Sequence, residues 1–348
     1  MCLFGLLFGL IPNYPVIMLH NREEDLERDF TENIIDKDGI VAPRDTNTDG
    51  VWLGFSSING SFVAITNHRN KKISLPNIKE CTSRGQLTKW LLREAPKVSH
   101  HQILTFKEKY YGFNIIYGYP TKTKDSTDEK DDQKKESKEN SFQIFLITNR
   151  PKMEDILQTK STFSYDSQAL VCELPSGIHA ISNGYLNDTQ IWTRVRFLSK
   201  YLHEWCENSK HSDVVQELQQ IISNDEPFDE KEIPSQSVCD EFSPYPYQFE
   251  HICHTKLFFN PYVNPNERTV SQSILMIESE QSKSEAPSNY IYHFFHRDSR
   301  KKESLYTKID NKNVHSNPNP WVSTTWHNSS KPKNEEIDNS TEDNKPKH

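Results

Sequence analysis

The sequence predicts an α+β fold in which a few helices cover paired β-strands. Short apolar runs bounded by turn residues recur along the first 300 residues, while only a few stretches show helical spacing. The first runs are apolar at successive positions, as strands buried on both faces require. Eighteen Phe, fourteen Tyr and six Trp supply core despite a mean hydropathy of -0.79.

The segments "CLFGLLFG" and "YPVIMLH" flank Ile11-Pro12-Asn13 and read as two strands joined by a tight turn. "VWLGFSSING" and "SFVAITNHR" follow as a second hairpin, with Asn59-Gly60 as its turn signal. Residues 83–95 place Leu87, Leu91 and Leu92 at helical spacing, and Pro96 ends that helix. "GFNIIYGYP" is a further strand, and "FQIFLITNR" resumes the sheet beyond a mixed-charge stretch at about 121–141. That stretch has almost nothing apolar to offset its ordering entropy and is expected to be a disordered insert. "ALVCELPSGIHAISNGYL" reads as a hairpin about Pro175-Ser176-Gly177. After Asp188, Ile191, Val195, Leu198, Leu202 and Trp205 mark one helical face, and a second helix is expected over 213–223. Two late strands, "KLFFNPYVNPNERTVSQSILMIES" and "NYIYHFFHRD", complete a single domain over 1–326, followed by a disordered polar tail at 327–348. Trp52 and Trp192 are expected in the core.

A net charge of -8 argues against a broad phosphate-binding surface, and no basic cluster is interleaved with aromatics, so nucleic acid is not an expected partner. The six cysteines form no C-x-x-C pair. They read as reduced intracellular thiols, and neither a disulfide framework nor a metal site is expected; "HICH" at 251–254 lacks a second ligand pair. The apolar run from Leu3 to Ile11 has no preceding Lys or Arg, no small-residue cleavage site, and a break at Pro12. It is therefore not expected to act as a secretory signal, and it is too short to span a bilayer.

The residues able to carry chemistry cluster at the start. Removal of Met1 would leave Cys2 with a thiol nucleophile and an α-amine of pKa roughly 8, a base working near neutral pH. In "HNREED", strand alternation puts Arg22 and Glu24 on one face, with Asn21 and Glu23 on the other. If the first two strands pair, Arg22 returns toward Cys2, where a guanidinium favours the thiolate.

Met-Cys, two apolar strands and Asn-Arg-Glu-Glu together resemble the NRDE family, also called the transport and Golgi organisation 2 family. "DGVWLGFSSINGSFVAITN", "YGFNIIYG", "ISNGYLNDTQIWTRV" and "ERTVSQSILMI" resemble its later blocks in the same order. Glu23 stands where the signature has Asp, so the weight falls on Glu24. The resemblance extends to the N-terminal nucleophile hydrolases, and it implies a four-layer αββα sandwich with two antiparallel sheets between helices. Its nearest likeness there, the choloylglycine-type amidases, implies Cys2 as nucleophile and Arg22 as thiolate stabiliser. It also implies Asp25 as a site carboxylate, Asn67 and Asn183 as oxyanion donors, and Arg268 completing the charge network. The reaction implied is hydrolysis of a non-peptide C–N bond in a small molecule, with no cofactor required. The alternative that the resemblance carries is a non-enzymatic trafficking or binding protein, linked with Golgi organisation, secretion, and haem or lipid handling. Haem is then a candidate cargo with His20 as its candidate ligand, although a packed histidine is the favoured reading of that residue, and the expected location is cytoplasmic, with association to Golgi or mitochondria.

Overall fold

The computed structural model describes residues 2–69, 78–105, 109–121, 141–152, 162–164, 169–208, 211, 213–242, 256–258, 268–279, 290–300 and 321–328. The interior of the expected insert, the "HICH" run and the tail beyond Asn328 lie outside the described residues. The strands in chain order are β1 (Leu3–Ile11), β2 (Tyr14–Glu23), β3 (Phe30–Ile35), β4 (Ile40–Asp45), β5 (Leu53–Ser56), β6 (Phe62–Asn67) and β7 (Phe113–Pro120). They continue with β8 (Phe142–Thr148), β9 (Thr162–Ser164), β10 (Ala169–Glu173), β11 (Gly177–Ile181), β12 (Thr269–Ser279), β13 (Tyr290–Asp298) and β14 (Val322–Asn328). The α-helices are α1 (Arg84–Glu94), α2 (His100–Leu104), α3 (Thr193–Asn208), α4 (Val214–Ile222) and α5 (Gln236–Phe242).

The strands form two antiparallel sheets, one ordered β11-β1-β2-β12-β13-β14 and the other β3-β4-β5-β6-β7-β8-β10-β9. Strand alternation divides the core of the first sheet. Phe4, Leu6 and Phe8 of β1, with Val16 and Met18 of β2, join the side chains of the second sheet and of α1. Leu3, Leu7, Ile17 and Leu19 point the other way, onto Val195, Leu198 and Leu202 of α3 and Leu218 of α4. Gly5 lies among them, and a Cβ there would stand 3.1 Å from both Leu198 and Leu202, so its missing side chain lets α3 settle on β1. The fold is thus mixed α and β, with mostly antiparallel sheets and few helices, as the sequence predicts.

The first turn is as expected: β1 and β2 pair from Leu3↔Asn21 to Ile11↔Tyr14, and Asn13 takes the left-handed conformation (φ 69) that a tight turn needs. The β5–β6 hairpin likewise closes at Gly60 (φ 71). The expected hairpin about Pro175-Ser176-Gly177 does not form. Its first arm, β10, pairs with β8 and β9, while β11 pairs with β1 in the other sheet. The segment is a crossover between sheets; both arms have the same period-2 pattern that a hairpin has, so the pattern could not tell them apart. The pair β3–β4, the short α2 and α5, and β14 are additions to the sequence reading.

Candidate functional site

The site is assembled where the ends of the two sheets meet. Extending the β1–β2 register one step beyond Leu3↔Asn21 sets Cys2 beside Arg22. Both face the second sheet, as do the even-numbered core residues of these strands. A cleft of about 300 Å³ opens there, lined by Cys2, Arg22 and Glu24 from the first sheet and by Asp45, Trp52 and Asn67 from the second. Residues 82–85, at the start of α1, close one wall, with Cys81 and Tyr111 alongside. The start of α1 comes this close because Gly85 packs on Gly50; a Cβ on Gly85 would lie 2.4 Å from the Gly50 Cα.

Arg22 is nearly wholly buried. Its Nη2 donates to Asp45 Oδ2 at 3.0 Å and lies 3.9 Å from Glu24 Oε2, while its guanidinium lies over the Trp52 ring, 4.4 Å from the centroid. Arg28 completes the cluster, donating from Nε to Asp45 at 2.7 Å and from Nη1 to Glu24 at 3.1 Å. Burial works to raise the Asp45 carboxyl. The hydrogen bond and charge of Arg28, the Thr48 hydroxyl and Arg22 outweigh it and hold the group below the usual carboxylate range.

Cys2 departs from the sequence expectation in one respect. Arg22 does pull its thiol down, as do the positive chain terminus and the Glu23 N–H that donates to the sulfur. Burial is larger, however, and with the Glu23 charge it pushes the thiol up, so the resting group is the protonated thiol. The Cys2 carbonyl accepts from Ser182 Oγ at 2.9 Å, which fixes the backbone behind the sulfur.

The other expected residues are distributed as follows. Glu24 and Asn67 line the cleft with Cys2 and Arg22. Asn183 is buried, and its Nδ2 donates to the Asn67 carbonyl at 2.9 Å while its own carbonyl accepts from the Arg69 N–H at 2.7 Å. It clasps the end of β6 and does not line the cleft. Asp25 is 68 % exposed at a turn, where its Oδ1 accepts from the Glu27 N–H and lies 3.8 Å from Arg268. Neither Asp25 nor Arg268 is among the lining residues. His20 is wholly buried, with Nε2 donating to the Ile65 carbonyl at 3.1 Å, and does not line the cleft either. Glu23 points to the helix side as alternation predicts, where Arg194 of α3 grips it bidentately at 2.6 and 2.7 Å. Among the described residues no group of three or more His, Cys, Asp or Glu could hold a metal ion, and no helix is long and apolar enough to cross a membrane.

Sequence reasoning missed Arg28, Asp45 and Arg84, and took Trp52 for core alone. Trp52 is core, at 6 % exposure, but it is also a cleft wall under Arg22. Arg28 is brought back to Glu24 by the turn that the Arg28 N–H closes on the Asp25 carbonyl, and only that turn could have announced it. Asp45 and Arg84 reach the cleft through tertiary packing and have no local signal. The family model described as Transport and Golgi organisation 2 matches residues 1–290. A search of curated proteins returned no match.

Proposed function

The chain belongs to the Transport and Golgi organisation 2 family, and on that premise we propose that it is an N-terminal-cysteine hydrolase of a non-peptide C–N bond. The observation that carries this reading is the convergence of Cys2, Arg22, Glu24 and Asn67 on one cleft. Once Met1 is removed, the Cys2 α-amine serves as base. The thiol proton passes to the amine as Sγ attacks the amide carbon. The tetrahedral oxyanion is met by Asn67, whose side-chain amide makes no hydrogen bond among the described residues and faces the cleft. The C–N bond then breaks, the ammonium hands its proton to the leaving nitrogen, and acyl-Cys2 forms. Water cleaves that thioester, releasing the acid and restoring the thiol. In this scheme Arg22, anchored by Asp45, supplies positive potential, and Asn183 positions Asn67. Asp25 and Arg268 form a pair near the end of β2. Two antiparallel sheets sharing a core, with helices packed on them, support the four-layer αββα arrangement of N-terminal nucleophile hydrolases.

The family's own description favours a second reading, a transport or binding protein that keeps the scaffold without turnover, with haem or lipid as candidate cargo. An activated acyl ester, p-nitrophenyl butyrate, separates the two. The hydrolase reading predicts a p-nitrophenol burst stoichiometric with protein that disappears in Cys2→Ala. A burst that survives in Cys2→Ala, or none from the processed wild type, removes the hydrolase reading and leaves the binding protein.

A further inference from the structure

The cleft carries an imbalance that its own ion pairs leave standing. Of its three guanidinium groups, Arg22 and Arg28 share the two carboxylates, Asp45 and Glu24. Arg84 has neither. Among the described residues it makes no ion pair; its one hydrogen bond runs from Nη1 to the Gly112 carbonyl at 3.1 Å, and its guanidinium carbon lies over the Tyr111 ring, 5.8 Å from the centroid. It lines the cleft together with Cys2, Arg28 and Glu24.

The remaining hydrogen-bonding capacity of the cleft is mostly of donors. Arg84 keeps Nε and Nη2 without a protein partner among the described residues. Trp52 Nε1 and Arg22 Nη1 are buried without partners among the described residues, both on side chains more than nine-tenths buried that line the cleft. Arg84 is also the first residue of α1, and the N-cap Ser83 makes no side-chain hydrogen bond to the helix. The uncapped amino end of an eleven-residue helix therefore adds its positive pole to the same wall. The acceptors, by contrast, are occupied: Asp45 by Arg22, Arg28 and Thr48, and Glu24 by Arg28 and the Asp25 N–H. The Asn67 amide and the Thr82 and Ser83 hydroxyls offer both kinds.

We infer that the molecule bound in this cleft carries an anionic oxygen group, a carboxylate or a phosphate, and that Arg84 with the start of α1 receives it. This rests on the reading that the cleft is the working site, but not on turnover. A guanidinium in a desolvated wall binds such a group through paired charge-assisted hydrogen bonds.

The test measures binding in the full-length chain carrying Cys2→Ala, where no acyl transfer can occur. Butyrate and monobutyl phosphate are titrated against uncharged butyramide, with Trp fluorescence as readout. At least one anion should bind about tenfold tighter than butyramide, a factor equal to about 1.4 kcal/mol, and the stronger arm identifies the group. Arg84→Gln should bring that ratio close to one, while Arg84→Lys, which keeps the charge, should retain part of it. Should Arg84→Gln fail to fold, the parent decides: its preference should shrink between about 0.02 and about 0.5 M NaCl. Equal binding of acid and amide, no binding of either, an Arg84→Gln that keeps the preference, or a salt-independent preference overturns the inference. A wild type without an acyl burst whose Cys2→Ala form still prefers anions would remove the hydrolase reading and leave this one intact.

Discussion

His20 sits two residues before Arg22 on β2, its Nε2–H on the Ile65 carbonyl and its Nδ1 buried without a partner among the described residues. Burial lowers its pKa from 6.5 to about 4, and burial together with Arg150 lowers that of His68 to about 3. Both rings are thus neutral in the folded chain across the physiological range, while in the unfolded chain they take up protons below about pH 6.5. The unfolded state then binds more protons, so stability is fully present above pH 6.5 and is lost as pH falls toward 4 and 3. By pH 5 each imidazole should have withdrawn on the order of 2 kcal/mol. Urea titrations at pH 7 and pH 5 should show that loss smaller by about 2 kcal/mol in His20→Leu than in wild type, after allowing for the variant's own offset. An unchanged pH difference would mean that His20 is not the group being protonated. Cys2 illustrates the same competition between burial and charge. Its sequence neighbours announce a lowered thiol, yet desolvation depends on what the fold stacks above the sulfur, which adjacent residues do not disclose.

The elements read most easily were those whose pairing is local. The β1–β2 hairpin and its turn follow from Pro12-Asn13 between two apolar runs, and α1 from Leu87, Leu91 and Leu92 followed by a proline. The β10–β11 crossover was illegible because a strand's pattern says that it has a buried face, not which sheet supplies the partner. One tie between elements now has a clear energetic role. Glu23 of β2 and Arg194 of α3 form a bidentate pair with side-chain exposures of 1 % and 0 %, and Arg194 Nη2 also donates to the Leu257 carbonyl at 2.6 Å. A pair so desolvated adds little net stability as a pair, but losing one partner leaves a bare buried charge, at a cost of about 3–5 kcal/mol. Arg194→Met alone should therefore lower the urea midpoint strongly. Glu23→Gln combined with Arg194→Met should recover much of the loss, since no charge is then stranded. If the double variant is no more stable than Arg194→Met, the arginine acts through packing and its bond to Leu257.

For the molecule as a whole, the two sheets and their shared core define the fold without the polar insert. The hairpin flanking it is already closed: Pro120 pairs with Phe142, and the Thr121 N–H donates to the Ser141 carbonyl at 2.9 Å. Replacing 122–140 by a two-residue Asn-Gly turn should leave the melting temperature within about 2 °C of wild type, because a loop closure of this kind changes chain entropy only slowly with length. A fall of many degrees would assign the insert a packing role. The candidate site was partly legible at this scale. Cys2, Arg22, Glu24 and Asn67 could be gathered from the strand pattern and the family resemblance. Arg84 and Asp45 belong to the site only because α1 and β4 are carried there by Gly50–Gly85 contact and sheet order. The central claim is that Cys2 becomes the chain terminus and takes up an acyl group, and an intact mass spectrum of acid-quenched protein after exposure to p-nitrophenyl butyrate tests it most directly. The predicted spectrum lacks Met1 and gains one butyryl group, mapped to Cys2 and absent from Cys2→Ala. A chain that retains Met1, or a butyryl group mapped to Cys81 instead, would contradict the account.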